Sequence, residues 1–216
     1  MEPENKYRVL MDERWELDDL YSFPYAYSQT YSFIYCFDSI QDPKNAKRID
    51  VALENYPWQG GYSYTNIYVV LQHQIPPTDR PKIAEIRYAS PGWMDIFLNP
   101  DVAMKIAASV GALIGLGVTA VEAYKRIDKA RLEIAKNRKM QQMEFADFSA
   151  NEAKFLNSMS EEICKNLGFE SLQQLQARTK NPEVTLKILM AHHRRISKLA
   201  EFVREGKIKL PIDRAN

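Results

Sequence analysis

The chain has 216 residues, 45% of them hydrophobic and 26% charged, with a formal net charge of +1. That much apolar material can offset chain entropy, so disorder throughout is excluded. The two cysteines, Cys36 and Cys164, lie too far apart for a disulfide framework or a paired-cysteine metal site.

The near-neutral balance hides a division. Residues 1–100 carry 9 Lys and Arg against 14 Asp and Glu, whereas residues 101–216 carry 20 against 14. Aromatics run the other way, with 18 of 24 in the first hundred residues. Two halves of such unlike composition predict unlike architectures.

Taken in order, the polar and acidic start lacks the basic and apolar regions of a signal peptide, which points to a cytoplasmic protein. Lys6 to Met11 alternates and predicts a strand. From Trp15 to Phe37 the aromatics Tyr21, Phe23, Tyr25, Tyr27, Tyr31, Phe33, Tyr35 and Phe37 all fall at odd positions. Strict alternation favours a strand, but Pro24 would interrupt its ladder. The stripe of Leu17, Leu20, Tyr27, Tyr31, Ile34 and Tyr35 favours a helix instead. We read a helix from about Ala26 to Ser39, with Pro24 near its start. Asp42-Pro43-Lys44-Asn45 reads as a turn, Arg48 to Tyr56 as a strand, and Pro57 to Gly61 as a loop. Tyr62 to Ile75, rich in β-branched and aromatic residues, gives the strongest strand signal. Lys82 to Ala89 is another strand, closed by Ser90-Pro91-Gly92.

No proline occurs between 101 and 181. A long helix is expected from Asp101 to about Asp147, followed by helices at about 151–167, 171–178 and 182–205. Gly168 and Gly206 read as C-terminal cap glycines. The expected fold is α+β: a small antiparallel meander with a packed helix over residues 1–92, then a helical region over 93–216.

Three features offer contacts. Ile106 to Val121 is 16 residues without a charge. It holds Gly111 and Gly115 at the spacing that lets helix backbones approach closely, with Gly117 just beyond. The readings are a core helix, a helix contact between copies, or a membrane-active segment over 93–121; a spanning helix needs about 20 apolar residues. A basic run follows: Lys125, Arg126, Lys129, Arg131, Lys136, Arg138 and Lys139. Together with Arg194 and Arg195 it is a candidate for binding nucleic acid or an anionic membrane, against the plainer reading of a solvated face. Leu189, His192, Ile196, Leu199 and Val203 alternate at three and four, the spacing of a helix-contact seam.

Catalytic signals are missing. His73 stands alone on its expected strand, both cysteines read as buried and structural, and no phosphate loop, nucleophile elbow or zinc-protease motif occurs. No cofactor or metal is called for. The aromatics of 21–37 read as core packing or as a groove for a protein partner. A base-stacking role is opposed by the acidic balance of that half.

Three stretches together resemble a family of bacterial proteins with an aromatic N-terminal module and an Ala-Ser-Pro-Gly junction leading into a helix. They are Trp15 to Leu20 with Tyr27 to Tyr35, Pro57 to Tyr62, and Ile86 to Gly92. The resemblance covers about the first 120 residues. It implies a setting among conflict or phage-defence genes and carries no functional residue. From the glycine-spaced helix, the seam at Leu189–Val203 and the missing catalytic signals, the function expected is a non-enzymatic, self-associating interaction protein. The alternatives are a membrane-active effector, peripheral to the inner membrane or inserted in it, and a nucleic-acid binder using the basic helices.

Overall fold

The computed structural model describes residues 6–38, 43–55, 67–140 and 149–212, with side chains described except at 54–55 and 139–140. The fold is α+β, a four-stranded antiparallel sheet against a larger set of helices.

Strand β1 (Lys6–Met11) alternates as its sequence predicts, with Tyr7, Val9 and Met11 buried. Helix α1 (Leu17–Phe37) starts earlier than expected. The Asp19 carboxylate accepts from the Glu16 backbone N–H at 2.8 Å, satisfying a free donor of the first turn. Pro24 lies inside the helix and removes one of its hydrogen bonds. Packing outweighs that loss, because every residue from Gln29 to Phe37 is buried. A helix surrounded on all sides shows no single apolar stripe, which is why its odd-numbered aromatics imitate a strand.

Two expected strands are helices. Helix α2 (Pro43–Asn55) replaces the described parts of the turn at 42–45 and of the strand at 48–56. Pro43 suits a first turn, and Ile49 and Ala52, three apart, face the core. Helix α3 (Ile67–Gln74) replaces the described part of the strand at 62–75. Its buried residues, Ile67, Tyr68, Leu71 and then Ile75, follow a helical stripe, and this burial overrides β-propensity. The loop read at 57–61 lies outside the described residues.

Strand β2 (Lys82–Arg87) pairs with β3 (Gly92–Phe97) across a turn holding a cis Ser90–Pro91 bond. At Gly92 a Cβ would stand 2.3 Å from the Arg87 carbonyl oxygen, so the hairpin closes only on glycine. Strand β3 was not foreseen: its residues read as an extension of the apolar segment that follows. Met94 and Ile96 point into the core, whereas Trp93 and Phe97 stay half-buried on the other face.

The single long helix expected from 101 is two. Helix α4 (Pro100–Leu116) and α5 (Val118–Met140) meet at a 94° bend. Gly117 makes the turn at φ +54°, a conformation that suits glycine. Asn99 caps α4 by accepting from the Asp101 N–H at 3.0 Å.

Helices α6 (Ala150–Leu167), α7 (Leu172–Thr179) and α8 (Pro182–Arg204) follow their punctuation. Ser149 and Glu152 form a capping box, Gly168 closes α6 in the left-handed region, and Asn181 caps α8 ahead of Pro182. Strand β4 (Ile208–Lys209) then pairs antiparallel with β1.

The sheet order is β2-β3-β1-β4. The division expected at 92/93 falls at the start of β3, and the sheet draws strands from both sides of it. So does the core: α8 packs on α1, α4 and α6, and one cluster of buried residues runs from Tyr7 to Ile208.

Candidate interaction surfaces

The seam on α8 is internal. Leu189, Ile196 and Leu199 are fully buried, and Val203 packs against the same cluster. His192 lies flat on Phe33, ring centroids 3.8 Å apart, and burial pushes its pKa down to about 3. His193 stacks on Tyr124 at 4.7 Å, and its pKa falls to about 4, chiefly through burial. The three-and-four spacing reports a buried stripe, and its partners are this chain's own α1, α4 and α6. A second copy has no access to it.

Gly111 and Gly115 stand elsewhere. On α4 the residues Val102, Ile106, Val110 and Leu113 face inward, while Ala108, Gly111 and Gly115 face out. A Cβ built on Gly111 or Gly115 would meet nothing within 4 Å, so neither glycine makes a helix contact inside the chain. Gly117 supplies the bend rather than a contact. At this elbow Leu116, Val118 and Val121 are exposed, Val118 by 71%. With Ala108, Gly111 and Gly115 they are exposed, uncharged residues around the bend, bordered by the exposed Glu122.

Most of the candidate anion-binding arginines are engaged. Arg126 pairs with Glu162, Arg131 with Asp128 at 3.0 Å, and Arg138 is buried. Arg194 donates to the Tyr124 hydroxyl at 2.8 Å. Arg195 donates to the Gln29 side-chain oxygen and lies over the Tyr68 ring. Lys125, Lys129 and Lys136 are exposed and lack ion pairs among the described residues. They follow the elbow along one face of α5. The side chain of Lys139 lies outside the described residues.

The sheet carries a group that sequence reading missed. Asp95 on β3 is fully covered, bound by Arg8 Nε at 2.7 Å and Nη2 at 2.9 Å and by Lys6 Nζ at 2.5 Å. The Arg8 hydrogen bond is the main reason its carboxyl titrates below the ordinary range. Beside it Trp93 has the guanidinium groups of Arg8 and Arg87 each 4.7 Å from its ring centre. These residues lie at 6, 8, 87, 93 and 95, and only strand register brings them together.

His73 stands on α3, not on a strand, and its Nδ1 bonds the Val69 carbonyl at 2.7 Å. It lines a shallow groove of about 310 Å³ with Ser28, Gln72, Ile75, Arg80 and Pro81. A second groove of about 400 Å³, between α2 and α7, holds the Arg178–Asp50 ion pair at 2.8 Å. Cys36 and Cys164 are buried, and burial pushes both thiols up to about 12, far from a reactive thiolate. Among the described residues no three His, Cys, Asp or Glu side chains converge as metal ligands.

Among the described residues no single helix is long and apolar enough to cross a membrane, although α4 and α5 pass that test together as a bent pair. No protein-family model, curated protein or solved structure matches the chain significantly.

Proposed function

We propose that this chain is a non-enzymatic interaction protein that self-associates through the α4–α5 elbow. One observation carries the reading: an uncharged, exposed surface surrounds two glycines above which space is open. Glycines at this spacing let a second helix approach to backbone contact. Leu116, Val118 and Val121 would be the apolar side chains such an approach covers. A patch of this kind is costly to leave in water and marks a contact surface. Following the resemblance of its first half, we place the protein in a bacterial antiviral-defence setting.

Sedimentation velocity over a range of concentrations tests the contact. The wild type is expected to form a species larger than one chain. Gly111→Leu and Gly115→Leu are expected to be monomers of unchanged helicity, since a side chain at either position meets open space. A wild type that stays monomeric at tens-of-micromolar concentration, or leucine variants that associate equally well, would contradict the reading.

A membrane-active role has its own support. The bent α4–α5 pair has the length and composition of a broken span or re-entrant loop, and the free Lys125, Lys129 and Lys136 would lie at anionic headgroups. Flotation with anionic vesicles separates the two readings: protein that stays at the bottom of the gradient ends this one.

A further inference from the structure

The helices cover one face of β1 and β3 and leave the outer face toward solvent, and β2 is exposed along its whole length. Register places Phe97 between Lys6 and Lys82 on that outer face, Asp95 between Arg8 and Glu85, and Trp93 between Leu10 and Arg87, with Lys209 beyond Leu10. Lys82, Glu85, Arg87 and Lys209 are exposed, and Trp93 and Phe97 are half-buried.

Lys6, Arg8, Lys82, Arg87 and Lys209 therefore share this face with Asp95 and Glu85, four of the five cations coming from the half of the chain whose sequence balance is acidic. Lys6 and Arg8 are engaged by Asp95. Lys82 and Arg87 have no ion pair among the described residues, and Lys209 lies within electrostatic reach of the Asp12 carboxylate. Trp93 holds two guanidinium groups from the strands on either side of it, and Asp95 fixes Arg8 with two further hydrogen bonds. The face thus offers ordered guanidinium planes, a half-exposed phenyl ring and three exposed cations in one layer.

We propose that the outer face of the sheet binds single-stranded nucleic acid. The exposed cations Lys82, Arg87 and Lys209 meet phosphates. Unstacked bases lie against Phe97 and the guanidinium planes carried on Trp93, as single strands do on sheet platforms. A duplex would keep its bases stacked away from these groups, and an acidic peptide would use the cations but not the ring planes. This site is separate from the elbow and does not depend on self-association.

Fluorescence anisotropy with a labelled oligouridylate and the full chain tests it. Binding is expected at low salt and should weaken steeply as salt rises. The double substitution Lys82→Glu/Arg87→Glu, on a strand exposed along its whole length, is expected to weaken binding by about tenfold or more. Lys154→Glu/Lys165→Glu on exposed positions of α6, an equal change of charge, is expected to leave it unchanged. An abasic oligonucleotide of the same length should bind about tenfold more weakly. The proposal is overturned by no binding at low salt, by equal binding of the abasic strand, or by equal loss in the two double variants. It is overturned too if Lys125→Glu/Lys129→Glu abolishes binding while the sheet variant retains it.

Discussion

At the scale of single residues, two buried titratable groups make opposite demands. Asp95 is charged and held by Arg8 and Lys6, so its carboxyl titrates below the ordinary range. A depressed carboxylate contributes stability above its unfolded pKa and loses it as pH falls through the folded one. Asp95→Asn should therefore cost about 2 kcal/mol at neutral pH. The gap from wild type should close on acidification, as urea unfolding across the carboxylate range would report. His192 is folded neutral, its pKa lowered to about 3 by burial. The unfolded chain takes up the proton near pH 6.5, so stability falls as pH drops from about 6.5 toward the folded value. His192→Leu should flatten that fall, and chemical denaturation at neutral and mildly acidic pH would show it. An unchanged slope would mean that other groups govern acid unfolding.

At the scale of elements, glycines with one sequence appearance play three parts. Gly92 closes the β2–β3 hairpin, Gly117 turns α4 into α5, and Gly111 and Gly115 leave a helix face bare. Gly117→Ala should cost about 1–3 kcal/mol, the strain of a positive φ on a residue with a Cβ. Gly111→Ala should instead stabilise by up to about 1 kcal/mol, since it raises helix propensity without a clash. Thermal unfolding of the two variants compares them directly. What sequence reading captured at this scale was punctuation. The proline-free stretch, Gly168, Gly206 and the proline at 182 place α6 and α8 within a residue or two. Where burial decides the state, α2 and α3 were missed, and α1 was read as a helix but begun nine residues late. The β-branched residues of α3 and the alternating aromatics of α1 imitate strands because their surroundings, not their periods, decide their state. Strand β4, at two residues, is too short to leave a pattern. The α8 stripe announced a buried face but could not say which partner buries it.

At the scale of the whole molecule, the two unlike halves are interlocked. Tyr7 donates its hydroxyl proton to the Pro211 carbonyl at 2.8 Å, and Lys207 pairs with Asp19 at 2.9 Å. Arg178 donates to the Cys36 carbonyl at 2.7 Å, and Ser171 to Asp38 at 2.8 Å. With one core between them, the fluorescence of the chain's three tryptophans, Trp15 and Trp93 among them, and far-ultraviolet ellipticity from the helices should trace one coincident unfolding transition. Two separated transitions would mean the halves fold independently. The cations of the outer sheet face, scattered over positions 6 to 209, likewise became a surface only at this scale. So did the elbow, whose exposure depends on α8 filling the other side of α4. The native thiols are buried, which makes one engineered cysteine a clean reporter of contact between copies. Oxidised Gly115→Cys should form a covalent dimer of the 25.0 kDa chain much faster than Val51→Cys, placed on an exposed position of α2. Dimer from Gly115→Cys alone is what self-association through the elbow requires. No dimer at all, or equal rates at the two positions, would contradict it.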